Sequence, residues 1–462
     1  MYYSRQIDKY LSEWAKSYRH KPLMLRGARQ VGKSTAVHHL GECFANMVEI
    51  NFEKSPVYSQ LFEQDLDVKR IVPQIAAMAG QPIVPGKTLL FLDEIQECEK
   101  AIMSLRFFKE DMPDLHVIAA GSLLEFALDE IPTFGVGRIH SMFIYPMSFD
   151  EFLVASGNSF LMNARNQASS FNPLPVPLYE KLVSLLRTYI LIGGMPESVA
   201  TWVERHDYIA CQEVQDDIVV AYEADFAKYR KKIEPELLLL TLRSASLQVT
   251  KKFVYAQVRG YHSENVKKAL RMLSKAGILL PVTSTSANGI PLGAEEDASK
   301  QKFLIVDTGL MLRLMNMSTG SVSEITRGIL TDNVTDLVNK GPMAEMLAGL
   351  ELQRYRTPNL RHSLYYWQRE AKNSQAEIDY LSCNESTVLP IEVKAGTQGG
   401  MKSLWIFVRE KHLSKAIRCS MENFGMFTYK DPLDNDESRD VAICPLFAVS
   451  QMGRVLNELE KK

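Results

Sequence analysis

Residues Gly27-Ala28-Arg29-Gln30-Val31-Gly32-Lys33-Ser34 fit the pattern G-x-x-x-x-G-K-[ST]. In such a loop the backbone amides close around the α- and β-phosphates, a lysine here numbered 33 reaches the β- and γ-phosphates, and the Ser34 hydroxyl holds Mg²⁺. Thr35 continues the binding stretch into a helix-compatible run that ends at Leu40. The short apolar run Pro22-Leu23-Met24-Leu25 before the loop reads as the strand that delivers it. A second stretch, Thr88-Leu89-Leu90-Phe91-Leu92, is apolar on both faces, as a central parallel strand should be, and ends in Asp93-Glu94. Asp93 is expected in the Mg²⁺ shell and Glu94 is expected to polarise the water that attacks the γ-phosphate. The pair of motifs, in this order and each at the end of a strand, predicts an ATP- and Mg²⁺-binding site.

Two more positions extend that expectation. Leu115 to Ala120 reads as another buried strand, and Gly121-Ser122 at its end offers Ser122 beside the γ-phosphate. Gly135-Val136-Gly137-Arg138 sets Arg138 on a Gly-rich turn, a candidate arginine finger acting in cis or on a neighbouring subunit.

A separate constellation lies in the last third. Gly341 to Leu352 reads as a helix carrying Glu345, and Ala376 to Leu381 alternates so that Glu377 and Asp379 share one face. Glu392 and Lys394 follow in Ile391-Glu392-Val393-Lys394, with Ile391 and Val393 pointing to a core. Carboxylates on adjacent strands with a lysine two positions on are what metal-dependent phosphodiester cleavage requires. Asp379, Glu392 and Glu345 would hold the metal and Lys394 would activate water or stabilise the pentacovalent phosphate. Pro390 inside the second strand predicts an edge position or a bulge.

The elements between these sites are legible more coarsely. A polar, proline-punctuated stretch from Ser156 to Pro177 ends the first region; helical patterning runs from Tyr179 to Leu191 and stops at Gly193-Gly194. From Glu234 to Asp307 the pattern predicts a winged helix: helices over Pro235–Leu242, Lys252–Arg259 and Ser263–Ala276, then two wing strands at Ile278–Leu280 and Phe303–Val306. Lys268, Arg271 and Lys275 fall on a face of the third helix away from its apolar stripe. That face admits phosphate contact or plain solvation. Lys430 to Ser438 reads as a solvated acidic loop.

The order of loop, Asp-Glu strand and Gly-Ser strand resembles an AAA-type ATPase. Tyr145 to Leu153, Gly193-Gly194-Met195-Pro196-Glu197 and Val306-Asp307-Thr308-Gly309-Leu310 narrow the resemblance to a prokaryotic group in which such a module is fused to a carboxyl-terminal region of largely unknown function. The resemblance spans essentially the whole chain. The set Glu345, Asp379, Glu392, Lys394 is similar to the PD-(D/E)xK site of restriction-endonuclease-like proteins, with Ile378-Asp379 in place of Pro-Asp.

Composition sets the outer limits. Lys and Arg total 53 against 55 Asp and Glu, a formal charge of -2, so no global basic excess advertises nucleic acid. Cys43, Cys98, Cys211, Cys383, Cys419 and Cys444 lack C-x-x-C spacing and read as reduced thiols. No apolar run reaches ~18 residues and the amino terminus has no apolar signal core, which predicts a cytoplasmic protein off the membrane.

The fold class expected is therefore α/β. An AAA-type parallel sheet over 1–155 precedes a helical and winged-helix domain over 178–310 and a restriction-endonuclease-like α/β domain over 325–462. The expected activity is Mg²⁺-dependent ATP hydrolysis controlling a module that acts on DNA or RNA. The alternative is a nucleotide-gated scaffold with an inactive nuclease fold and a protein partner. Either admits a homo-oligomer.

Overall fold

A computed structural model describes residues 2–121, 124–125, 128, 137–230, 232–316, 340–371, 374–383, 387–396 and 400–461. These residues form two compact units. The first draws its described residues from Met1–Met147, Lys275–Ile278 and Thr357–Arg361; the second draws its own from Ser148–Ser274, Leu279–Arg356 and His362–Lys462.

The first unit is built on five parallel strands: β1 (Leu23–Arg26), β2 (Asn46–Asn51), β3 (Thr88–Asp93), β4 (His116–Ala120) and β5 (His140–Phe143), in the order β2-β3-β4-β1-β5. Every residue of β3 and β4 is buried, which is why both segments read as continuous apolar runs rather than alternating ones. Helices Val68–Ala79 and Glu99–Asp111 pack Ile71, Ile75, Leu105 and Phe108 onto Val48, Leu90 and Val117 in one core. Because the strands are parallel, the carboxyl ends of β1, β3 and β4 share one edge of the sheet. Gly27–Ser34, Asp93-Glu94 and Gly121 therefore meet there.

The second unit carries eight strands, in the order β12-β13-β11-β10-β9-β8-β6-β7. They are β6 (Leu279–Thr285), β7 (Glu296–Ile305), β8 (Leu364–Ala371), β9 (Ser374–Cys383), β10 (Val388–Val393), β11 (Lys415–Ser420), β12 (Gly425–Asp431) and β13 (Glu437–Pro445). β8-β9-β10 is an antiparallel run, β10 and β11 are parallel, and β6 pairs in parallel with β8. The expected wing strands are thus β6 and β7, an antiparallel pair built into the same sheet as the carboxyl-terminal strands. Helix Lys402–Glu410 covers one sheet face with Leu404, Phe407 and Val408, against Trp367, Ile378 and Leu381.

Of the three helices expected before the wing, two are present, Pro235–Leu247 and Ser263–Lys275. Lys252–Arg259 instead holds only a single 3-10 turn, Tyr255–Gln257. Its start is held extended: the Phe253 amide donates to the Gln301 carbonyl (2.9 Å) and the Val254 amide to Gln248 Oε1 (2.7 Å), bonds a helix would not leave available. Pro390 is not on an edge either. β10 lies between β9 and β11, and its ladder with β11 starts at Ile391, one residue past the proline that has no N–H to give. The expected acidic loop after Lys430 contains a buried anchor, Asp431, which accepts from Arg409 (2.9 Å) and is fully shielded from solvent. No helix of the described residues is long and apolar enough to cross a membrane.

Candidate functional site

The phosphate loop connects β1 to helix Lys33–Gly41, and Gly32 at the helix start has φ 91°, a conformation suited to glycine. The first-turn amides of that helix point along its axis out of its amino end, the arrangement that receives anions. Lys33 is buried and folds back on the loop, donating to the carbonyls of Gly27 (3.0 Å) and Ala28 (2.8 Å). Burial pushes its pKa down to about 8, against the pull of Glu94 and Asp93.

From the far end of β3, Asp93 accepts from Ser34 Oγ at 3.3 Å on each carboxylate oxygen and from Asn51 Nδ2 at 3.1 Å. Burial first, then the neighbouring Glu94, raises the Asp93 pKa. Asn51 is the register partner of Asp93 across β2 and β3. It escaped the sequence reading because only the pairing of the strands reveals it.

Glu94 leaves the strand at φ 46°, ψ 44°, a left-handed conformation that a non-glycine residue holds at a cost of ~1–3 kcal/mol. The turn aims the carboxylate off the strand end, where Gln96 Nε2 donates to it at 2.6 Å. The other amide atom, Gln96 Oε1, is buried without a hydrogen-bond partner. Gln96 was also missed, although it lies only two residues past the motif.

Ser122 and, with them, Gly135 and Val136 lie outside the described residues. Arg138 is described and stands away from the loop. It precedes β5, whose His140 is level with Leu23 at the start of β1, whereas the phosphate loop follows Arg26 at the other end. Half exposed, Arg138 pairs with Glu110 near the end of helix Glu99–Asp111. At the loop's own edge a different arginine, Arg26, pairs with both carboxylate oxygens of Glu125 and packs its guanidinium 4.9 Å from the Phe143 ring centre.

In the second unit, Glu345, Glu377 and Asp379 bring carboxylate oxygens within 4.8 Å of one another. The strand that carries two of them is broken just beyond Ile378. Between β8 and β9, Tyr365 pairs with Leu381 but Trp367 pairs with Ile378, so β9 has one residue more than β8 across that step. This is a β-bulge, which re-aims side chains. Strict alternation would send Tyr380 to the opposite face from Asp379. Instead the Tyr380 hydroxyl donates to the Glu345 carbonyl (2.8 Å), tying β9 to helix Lys340–Arg354. The close approach needs Gly349, where a Cβ would stand 2.3 Å from the Tyr380 oxygen.

Asp379 accepts from the Val393 amide (2.7 Å), and Glu392 from Lys394 Nζ (2.5 Å), so the sequence-derived set is brought together at β9 and β10. Glu392 Oε2 is buried with no hydrogen-bond partner. Lys302, on β7, was not foreseen. Its ammonium donates to Glu345 (2.9 Å) and Glu377 (2.5 Å) and is shut off from solvent.

Burial raises the pKa of Glu345, Asp379 and Glu392; mutual repulsion adds to it and the lysines only partly offset it. Burial opposes the Lys302 charge, but Glu345, Glu377 and Asp379 outweigh it and hold its pKa above the ordinary lysine value. Four carboxylates and the two ammonium groups of Lys302 and Lys394 form the cluster. Fully ionised, it falls two positive charges short of neutrality, and its oxygen donors suit a hard divalent cation.

A second buried network holds the helix that carries Glu345. Asp307 accepts from the Gly194 amide (2.6 Å), Arg354 donates to the Val306 carbonyl (3.1 Å) and to Glu351 (3.1 Å), and Glu351 accepts from the Phe149 amide (3.2 Å). Phe149 and Val306, from two of the motifs that narrow the family resemblance, thus bond Glu351 and Arg354, and Gly194, from the third, joins them through Asp307, 3.9 Å from Arg354. Their part here is to seat a helix.

The helix Ser263–Lys275 buries Val266, Ala269, Leu270 and Leu273 as its stripe requires. Of its basic residues, Lys268 donates to the Lys232 carbonyl (2.6 Å) and Lys267 pairs with Glu264 (2.7 Å).

With this geometry the first unit defines a P-loop domain, and residues 19–153 match the model described as an AAA domain. It is a P-loop ATPase domain of the AAA type. Residues 183–321 and 340–431 match two models described as domains of unknown function, DUF8612 and DUF4143. No match is found among curated proteins.

Among solved structures, the chain is similar to the Aeropyrum pernix ORC1 protein in complex with DNA (11% identity, TM-score 0.30, covering 68% of this chain and 93% of that one). It is also similar to the S. cerevisiae Hsp104–ADP complex (10% identity, TM-score 0.28, covering 59% of this chain and 38% of that one).

Proposed function

We infer that the chain is a Mg²⁺-dependent ATPase whose nucleotide state controls a nuclease-like module acting on nucleic acid. For the first half, the carrying observation is the Ser34 hydroxyl at 3.3 Å from both oxygens of Asp93, beside the buried Lys33. These groups fit a nucleotide with its metal: Ser34 and Asp93 would hold Mg²⁺, which supplies charge neutralisation at the phosphates when bound. Lys33 and the amides from Gly27 to Thr35 orient the phosphates. Glu94, restrained by Gln96, accepts the proton of the attacking water.

For the second half, the order helix, β8, β9, β10, helix, β11 supports a restriction-endonuclease-like reading of the carboxyl-terminal strands. Within it Asp379, Glu392 and Glu345 would hold a divalent cation, for which the orphaned Glu392 oxygen argues, and Lys394 would stabilise charge on a scissile phosphate. One observation favours the alternative scaffold reading with a protein partner: Lys302 already lies between Glu345 and Glu377.

The deciding experiment is incubation with DNA and RNA in Mg²⁺ or Mn²⁺, with and without ATP. Metal-dependent cutting that Asp379→Ala removes while ATP hydrolysis persists is the expected result. Neither cutting nor binding under any condition would overturn the nuclease reading in favour of the scaffold.

A further inference from the structure

We propose that the Lys302 ammonium is a built-in occupant of the carboxylate cluster, so that a divalent cation enters only as Lys302 withdraws. This rests on the nuclease-like reading of that site and adds its regulation.

Four observations lead to it. Lys302 is 1% exposed, and its Nζ lies 2.9 Å from Glu345 and 2.5 Å from Glu377, whose oxygens with that of Asp379 fall within 4.8 Å of one another. An ammonium at that point occupies Glu345, one of the carboxylates that would hold the metal, together with its neighbour Glu377. It has a second hold, since it stands 4.7 Å from the Tyr366 ring centre, within cation–π range. The satisfaction is incomplete: Glu392 Oε2 remains buried and unpartnered, and the cluster, when fully ionised, is two positive charges short. Exchanging that ammonium for a divalent ion, with Lys394 retained, would cut the shortfall of the fully ionised cluster from two charges to one.

The strand that carries Lys302 also permits withdrawal. Among the described strands β7 is the sheet's edge and pairs only with β6, and the ladder between them is already irregular at Thr283 and Ser284. Moving this edge strand breaks one ladder and the Phe253–Gln301 bond, while β8, β9 and β10 keep their ladders and their carboxylates stay in place. None of the cluster's acidic residues shares an element with Lys302, so the cation can leave without dragging a ligand with it.

The test compares Mn²⁺ binding to the full chain and to Lys302→Met, which keeps the bulk of the side chain and removes its charge. Titration calorimetry or the Mn²⁺ paramagnetic signal is expected to show affinity at least ~10-fold tighter in the variant, with ATP hydrolysis in the first unit unchanged. Equal or weaker Mn²⁺ binding by a folded Lys302→Met overturns the proposal. Binding by neither protein removes the nuclease reading with it, whereas equal binding by both leaves that reading standing.

A readout on the unaltered chain covers the case in which the variant does not fold. Amine-reactive labelling followed by mass spectrometry is expected to leave Lys302 unmodified without metal and to modify it at saturating Mn²⁺. Bound Mn²⁺ with Lys302 still protected overturns the proposal.

Discussion

Lys33 and Glu94 divide the work of the nucleotide site between binding and chemistry, and their substitutions should separate the two. Lys33 contacts ground-state phosphates, so Lys33→Ala is expected to weaken nucleotide binding by ~10²-fold or more, read by equilibrium binding of a fluorescent ATP analogue. Glu94 acts on water only during the reaction. Glu94→Gln should bind nucleotide normally and lose ~10²-fold or more in turnover, and near wild-type turnover would remove its assigned role.

The lowered Lys33 pKa adds a pH signature. The free lysine is charged below about 8 and neutral above it, and bound phosphate favours the charged form. Affinity should therefore be flat below that pH and fall as pH rises through it, by up to tenfold per unit. A binding curve flat to pH 10 would contradict it. At this scale the sequence was most readable where chemistry lies in one short segment, as from Gly27 to Ser34. It was silent where partners come from afar: Lys302 is 43 residues from Glu345 and 75 from Glu377, and nothing in its local pattern marks it.

Elements were legible in proportion to how far local preference and burial agree. β3 and β4 are buried throughout and read as strands from their apolar runs, and the stripe of Ser263–Lys275 marked its buried face. The failures have physical causes. Lys252–Arg259 lost its helix to side-chain and strand bonds from Gln248 and Gln301, and the β9 bulge, which no period-two reading contains, redirects Tyr380.

One connection makes a sharp element-scale prediction. The turn Lys275–Ile278 runs against the phosphate loop, and Gly277 is at φ 75° with its absent Cβ only 3.0 Å from the Ala28 amide nitrogen. Gly277→Val would force a branched residue into that conformation, a cost of ~1–3 kcal/mol, and press on the loop's backbone. Nucleotide affinity should fall several-fold while Mn²⁺ binding by the carboxylate cluster stays as in wild type. Unchanged nucleotide affinity in a folded variant would show that the turn does not brace the loop.

At the scale of the whole molecule, the position of Arg138 bears on assembly. The parallel pairing of β5 with β1 puts the start of β5 at the edge opposite the phosphate loop, and Arg138 lies two residues before that start. A charge there cannot stabilise phosphates bound at the loop of its own chain, because the length of β1 intervenes. If Arg138 serves catalysis, it serves a second copy, and its bond to Glu110 must be exchanged for one to phosphate. An exposed pair of this kind is weak enough, at ~0–1 kcal/mol, for such an exchange.

Turnover per protomer should then rise with protein concentration until the copies are assembled. Arg138→Ala should lower that plateau by ~10³-fold or more while leaving nucleotide affinity within a few-fold of wild type. Mixing the Arg138→Ala chain with a Glu94→Gln chain sharpens the test. Each lacks a different group, and a finger acting between copies would let intact Glu94 on one protomer meet intact Arg138 from the other, restoring turnover. A rate independent of concentration, with no recovery on mixing, would leave Arg138 as a surface partner of Glu110 and nothing more.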